Sequence, residues 1–254
     1  MKKFNNASSI NTLKVRNKNA ILELLKDKLV NFEKISIVQN LKEDSQTQEI
    51  LGLARKRNIW IEQTSLNKMA KRRSGETHEV LIAYILPNNL TNLKNLLDDL
   101  NNRNETPFFL LINRVDFDTN IGMIARTSYA AGVNGLIFQG DTEKFFNDDS
   151  IHYSVGAIAR IPLIKMNIFE ALKELKREDI KTLCLQMDGE NYSNTDLKGP
   201  VAIILGEERR GITNEIAQRC DKIISIPMKK GIDSLNVSIS ASIVMYEKIR
   251  QDNL

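Results

Sequence analysis

Cysteine and histidine are scarce, with two of each in 254 residues. Cys184 lies in an apolar run (TLCLQM) and Cys220 beside charges (QRCDK). No CxxC spacing or nearby histidine pair accompanies either, which leaves no zinc or dithiol motif. Both read as free, structural thiols. His78 and His152 stand outside every segment singled out below, so surface or hydrogen-bonding roles are expected of them rather than catalysis. Long apolar runs are missing too. None approaches the length of a membrane span, and the opening MKKFNNASSINTLKVRNKN has no apolar stretch behind its lysines to make a secretory signal. The cytoplasm, with no membrane partner, is the expected location. There is no repeat of solenoid period and no sustained heptad.

What is present is the composition of an ordinary globular protein, 42% hydrophobic and 27% charged. The length admits two domains or one large one. A net charge of +4 argues little by itself, but its distribution does. Met1 to Asp99 holds 17 Lys and Arg against 11 Asp and Glu, a net of +6; the remainder holds 19 against 21, a net of −2. The clusters Lys14/Arg16/Lys18, Arg55/Lys56/Arg57 and Lys68/Lys71/Arg72/Arg73 could neutralise nucleic-acid phosphates. Each could equally be a solvated helix face.

Apolar spacing predicts a helix over Ile21 to Val30, a strand in KISIVQN, a helix in QEILGLARKRN, and strands in IWIEQ and EVLIAYIL. This alternation implies a small α/β domain at residues 1–87. Residues 88–106 (NNLTNLKNLLDDLNNRNET) read as a linker helix and hinge before Pro107. From residue 107 to 254 the alternation is more regular. Strands are expected in FFLLINRV, GLIFQG, ARIPLIKM, KTLCLQM, PVAIILG and KIISIPM, with helices in NIGMIARTSYAAG, FEALKELKR, NEIAQRC and SLNVSISASIVMYEKIR. Continuous apolar strands between helices imply a parallel sheet covered on both faces. Pattern alone stops at a doubly wound α/β fold.

Three segments put Asn, Gly or Ser where a strand ends and a helix begins: Asn120 to Gly132, Ala202 to Met228, and Gly231 to Glu247 (GIDSLNVSISASIVMYE). Open α/β sheets bind ligands at such junctions, and three of them suggest one composite site. In order and spacing they resemble the three motifs of the SpoU (TrmH-like) family of RNA ribose 2′-O-methyltransferases, a branch of the SPOUT superfamily. The resemblance covers Phe108 to Arg250 in detail; a weaker one, in RNKNAILELL, LARKRNI and THEVLIAYI, reaches the N-terminal part. It implies a deep trefoil knot that holds S-adenosyl-L-methionine, no metal, a homodimer that completes its site from both subunits, and an N-terminal substrate-binding domain resembling a large-subunit ribosomal protein. No GxGxxG follows any strand, against a Rossmann-type methyltransferase or an NAD enzyme.

Residue by residue, Asn120 can cap a helix or reach a ligand. Arg126, in a helix of apolar and small residues, calls for an anionic partner; the resemblance makes that partner the substrate nucleotide's phosphate or ribose. A guanidinium stays protonated in nearly any protein setting, which favours orientation and electrostatic stabilisation over general-base work. Glu208 matches the motif-two Glu and is the other candidate. Glu207 occupies a position usually small in the family, and Arg209 and Arg210 replace a Gly-Lys type of pair, a departure that bears on the loop's shape. Ser234 and Asn236 are helix N-caps by default; with Arg126 and Glu208 the resemblance makes them a polar ring around the ribose hydroxyl and the methyl donor. Gly206, Ile226 and Leu235 match cofactor-contacting positions, Gly206 by admitting close approach. Ile226 and Leu235 would equally serve as core.

The implied activity is 2′-O-methylation of a ribose in RNA, 23S ribosomal RNA first. Transfer RNA, an antibiotic-resistance enzyme acting on a ribosomal adenosine, and a non-catalytic RNA-binding protein of the same fold are the alternatives.

Overall fold

The computed structural model describes residues 12–26, 30–40, 44–66, 69, 80–86, 89–207, 211–230 and 234–253. In its N-terminal part, β1 (Leu13–Val15), α1 (Lys18–Lys26), β2 (Asn31–Val38), α2 (Ser45–Lys56), β3 (Ile61–Thr64) and β4 (Leu81–Leu86) follow in order. The strands form a four-stranded sheet, β1-β4-β2-β3. β4 runs antiparallel to both its neighbours and β2 parallel to β3. Side chains alternate across a strand, so Val15, Ile35, Ile37, Ala83 and Ile85 face inward onto Ile21 and Leu24 of α1 and Ile50 and Ala54 of α2.

The fold commits several of the basic residues. Arg57 donates to the carbonyls of Leu24 (3.2 Å), Leu25 (3.0 Å) and Val30 (2.7 Å) and stacks 5.2 Å from the Phe32 ring centroid. It closes the end of α1, where carbonyls lack helical partners. Lys18 pairs with Asp44 at 2.6 Å, and Asp44 in turn caps α2 by accepting from Thr47 N at 2.8 Å. Lys68, Lys71, Arg72, Arg73 and His78 lie outside the described residues.

The second part comprises β5 (Leu90–Thr91), α3 (Leu93–Asn102), β6 (Phe108–Ile112), α4 (Asp118–Ala130), β7 (Gly135–Phe138), α5 (Thr142–Phe145), α6 (Asp148–Ser154), β8 (Leu163–Lys165), α7 (Ile168–Arg177), β9 (Lys181–Asn191), β10 (Val201–Leu205), α8 (Asn214–Ala217), β11 (Lys222–Ser225) and α9 (Val237–Asp252). Its seven strands lie in the order β11-β9-β10-β6-β7-β8-β5, every pair parallel. Phe108, Leu110 and Ile112 enter one core with Ile124 of α4 and Val244 of α9, while Phe109 and Leu111 enter another with Leu96 of α3 and Leu172 of α7. The covered parallel sheet expected from continuous apolar strands is therefore present.

Three differences have physical reasons. The segment read as a linker helix and hinge does hold a helix, with Leu93, Leu96 and Leu100 buried, but it also supplies the edge strand β5, paired with β8 through Leu90–Leu163 and Thr91–Ile164. The strand expected at ARIPLIKM begins only at Leu163, because Ala157–Ala159 form a turn of 3-10 helix first. α6, not anticipated, starts on a reciprocal cap between Asn147 and Ser150.

Along the chain, β6, β7 and β8 step outward on one side; the chain then crosses to place β9 and β10 on the other. That reversal lies between β7 and β10, beside β6, and ligands of open α/β sheets lie outside the carboxyl ends of strands at such a point. α6 and the following turn also hold the N-terminal part: Asn17 Nδ2 donates to His152 Nδ1 at 2.9 Å, and the Arg160 guanidinium donates to the Glu23 carbonyl.

Arg57→Ala is expected to lower unfolding stability by about 2 kcal/mol, since carbonyls at the end of α1 lose a charged donor. Arg57→Lys recovers only part, because an ammonium cannot reproduce the fork. Urea unfolding checks this, and unchanged stability in both variants would return Arg57 to the solvated surface.

Candidate functional site

β6 ends at Ile112, in register with Leu205 of β10. The buried Asn113 extends this pairing, its backbone N–H donating to the Leu205 carbonyl at 3.0 Å. The chain then passes through Arg114, in the left-handed region at φ 56°, to Phe117 and into α4. Facing α4 across a gap is the start of α9. Between them lies a cleft of 420 Å³ lined by Phe117, Thr119, Asn120, Ser234, Leu235, Asn236 and Val237.

Two asparagines tie the walls together. Asn236 caps α9, its Oδ1 accepting from Ser238 N (2.9 Å) and Ser238 Oγ (2.6 Å), and its Nδ2 donates to Asn120 Oδ1 at 3.0 Å. The cap expected of Asn236 is thus present. Asn120 does not cap α4, which starts two residues earlier at Asp118; it is buried, 4% exposed, and faces α9. Ser234 precedes the cap and lines the cleft. Leu235 is 37% exposed there, so it is not core, whereas Ile226 is half-buried against the core.

Gly206 follows β10. A Cβ on it would stand 2.5 Å from the Gly211 carbonyl carbon and 2.7 Å from Ile212 Cγ1. The chain's own return therefore demands glycine at this position. Glu207 and Gly211 close that return by exchanging backbone hydrogen bonds of 3.1 and 2.8 Å. Glu208, Arg209 and Arg210 lie outside the described residues.

Arg126 is exposed, and none of the described residues bonds it, in contrast to the packed environment its helix suggests. It shares a face of α4 with Thr119 and Met123, by the i, i+4, i+7 spacing. At ~1.5 Å per residue it stands about 10 Å beyond Thr119 along the axis. The structure thus gathers Asn120, Ser234, Leu235 and Asn236 on one cleft and leaves Arg126, Gly206 and Ile226 outside its lining. Sequence reasoning missed Val237, the first residue of α9, and also Phe117 and Thr119 at the other wall. Their signal was position, in the loop between a strand's carboxyl end and a helix.

No group of three or more His, Cys, Asp or Glu side chains among the described residues could hold a metal ion. Cys184 is buried and Cys220 half-buried, both free. Interaction with Cys184, and burial, push the Cys220 thiol above the usual range, and its Sγ donates to the Ile216 carbonyl at 3.4 Å. No described helix is long and apolar enough to cross a membrane.

A parallel sheet with a cleft of neutral polar and apolar residues at the carboxyl end of its central strand defines an open α/β protein, a class in which ligands lie at the strand-order reversal. The chain belongs to the SpoU rRNA methylase family, whose model matches residues 107–246. It is 29% identical, over 93% of its length and 94% of the relative's, to a Bacillus subtilis protein assigned to the TrmH-family tRNA/rRNA methyltransferases. To the 23S rRNA (guanosine-2′-O-)-methyltransferase RlmB of Neisseria meningitidis it is 30% identical over 84% of this chain and 86% of the relative. Among solved structures, the SpoU methyltransferase AviRb of Streptomyces viridochromogenes in complex with AdoMet superposes with a TM-score of 0.76 at 21% identity, covering 94% of this chain and 90% of that one. An AdoMet-bound rRNA methyltransferase of Sinorhizobium meliloti gives 0.73 at 20% identity, covering 94% and 87%. These likenesses establish the shared fold.

Asn236→Ala is expected to cost about 1 kcal/mol through loss of the cap, and Asn236→Asp to restore most of it by keeping the accepting oxygen. Thermal unfolding of both variants decides; equal losses would place the effect in the bond to Asn120 instead.

Proposed function

We propose that this protein is an S-adenosylmethionine-dependent RNA 2′-O-ribose methyltransferase acting on 23S ribosomal RNA in the cytoplasm. The observation that carries the reading is convergence: Asn120 comes from one motif and Ser234, Leu235 and Asn236 from another, far apart in sequence, and they share one cleft. Membership of the family over residues 107–246, which include every residue of the cleft, supports reading it as the reaction site.

The cleft's chemistry fits a nucleoside-like ligand. Phe117, Leu235 and Val237 give apolar wall; Thr119, Asn120, Ser234 and Asn236 give neutral donors and acceptors, and its volume lies in the range of small-molecule sites. Leu235 would hold the cofactor, with the backbone at Gly206 and Ile226 beyond the cleft. When bound, S-adenosylmethionine supplies a methyl group on a sulfonium, which the ribose 2′-oxygen takes as it gives up its proton. The protein's own part is alignment, which can supply much of the acceleration. Asn120 and Asn236, locked to each other, present fixed amides; Ser234 adds a hydroxyl at the rim. Arg126 orients the substrate phosphate and stabilises charge, and Glu208 in the loop after Gly206 is the candidate to receive or relay the proton.

Arg126 stands apart from the cleft of its own chain, which supports a homodimer in which it serves the partner's site. Met123 on α4, and Ile239 and Tyr246 on α9, are exposed apolar residues on the two helices that flank this face. The knot implied by the family resemblance is supported by β10 lying between β6 and β9 and by the tight return at Gly206. Transfer RNA is the second reading, because the Bacillus subtilis relative is assigned to a family covering both RNAs.

Mapping ribose methylation in total RNA with and without the gene is expected to show one alkali-resistant linkage lost from 23S rRNA; loss from a transfer RNA selects the second reading, and no change removes the activity. Arg126→Ala is expected to reduce methyl transfer at least a hundredfold, on the order of a lost electrostatic stabiliser, with cofactor affinity and unfolding unchanged. Ile239→Asp is expected to give monomers in sedimentation and to lose activity with them. Full activity in a monomer would confine the site to one chain.

A further inference from the structure

The outer face of the N-terminal sheet carries a row of side chains the core does not use. Cross-strand register sets Lys14 opposite Tyr84 and Tyr84 opposite Lys34. The hydrogen bond from Ile35 N to the Trp60 carbonyl (2.9 Å) brings Trp60 beside Lys34. Their chain neighbours Val15, Ala83, Ile35 and Ile61 belong to or pack on the core, so all four row members share the opposite face, where Lys14 and Trp60 are exposed, Lys34 and Tyr84 half-buried, and Ser36 and Ile82 further along it buried. From one edge of the sheet to the other the row reads cation, ring, cation, ring.

Lys34 Nζ sits 5.0 Å from the Tyr84 ring centroid and 5.3 Å from that of Trp60, within cation–π range of both. Glu62, the next outward residue on β3, fixes it at 2.9 Å and also accepts from Ser36 Oγ at 2.6 Å. The hydrogen bond from Lys34 to Glu62 holds the lysine pKa above its ordinary value. The rings are thus set apart by a clamped charge. Trp60 stays 60% exposed, and Lys14, exposed at the far edge, has no partner among the described residues. A lone exposed ring needs no explanation; two rings alternating with cations across a sheet make a stacking platform.

We propose that this row binds unpaired nucleotides of RNA, with bases stacked on Trp60 and Tyr84 and an adjoining phosphate met by Lys14. The proposal rests on the RNA-substrate reading above and adds where and in what form the strand is gripped. Neighbouring strands lie ~4.8 Å apart, which separates the two rings by about 10 Å, room for separate nucleotides. Every base has a π-face, so such stacking tolerates sequence. In a duplex those faces are already stacked on one another, so the row selects single strands, loops and bulges.

Trp60 is the only tryptophan in the chain, so intrinsic fluorescence reports on this row alone. The full-length protein is titrated with a short dye-labelled single-stranded oligoribonucleotide of mixed sequence, with a blunt duplex of equal length, and with polyglutamate. Trp60 emission is expected to fall with the same midpoint as the single strand's anisotropy rises, and to change little with duplex. Trp60→Ala is expected to weaken single-strand binding about tenfold, in keeping with the loss of one stacked base, and Trp60→Phe to retain most of it. Single-strand binding with unchanged emission, equal quenching by duplex or by polyglutamate, or full affinity in Trp60→Ala would each overturn the proposal. Methyl transfer is scored separately: quenching without methylation sinks the enzymatic reading and leaves the platform standing, whereas methylation with unquenched Trp60 does the reverse.

Discussion

The arrangement depends on one out-of-sequence pairing, the parallel register of β10 against β6. Val201 to Leu205 match Phe108 to Ile112 residue for residue, and the match extends one bond further at Asn113. A slip of one residue would exchange the two faces of β10, sending Ile203 and Leu205 out of one core and Ala202 and Ile204 out of the other. The two cores therefore lock the register. With it are set the level at which the β6 loop turns into α4 and the level at which the chain leaves β10 through Gly206. The chemistry of the cleft is downstream of apolar packing.

The asparagine pair converts that packing into a shaped polar wall. α4 and α9 approach on the same core, and Asn236 uses its oxygen to start α9 and its amide nitrogen to reach α4. Neither function alone needs asparagine: serine or aspartate caps as well, and several side chains could bond Asn120. Only a side chain with an acceptor and a donor on one rigid plane does both. The result is a pair of amides with little freedom to rotate, suited to holding a ligand without reorganising around it.

Much of the C-terminal sheet was legible because its strands are buried on both faces and read as short apolar runs bounded by polar turns. β5 was not legible. Its two residues become a strand only through Leu163 and Ile164, which are remote in sequence, and nothing local announces an edge pairing. At the site, residue type pointed correctly to polar groups but not to their use. Asn120 could cap or reach outward, and what decided was the start of α4 at Asp118, which puts Asn120 inside the helix. An apolar residue ahead of a helix ordinarily packs, whereas Phe117 is 55% exposed and lines the cleft.

The basic excess of the N-terminal part shows why charge counts underdetermine binding. Arg57 closes α1 and Lys18 is tied to Asp44, so these cations serve the fold. Lys34 is held by Glu62, and its local charge is largely compensated. What remains for a polyanion on this sheet face is less the net charge than its geometry: at one edge Lys14, without a partner among the described residues, at the other an exposed ring, and between two rings a clamped ammonium. Phosphate attraction falls with salt by counterion release, while stacking on a ring does not. On the stacking role proposed for it, a face built this way would keep its grip on unpaired RNA as ionic strength rises, and the residual affinity at high salt would measure how much of the recognition comes from the rings rather than from the surplus of lysine and arginine.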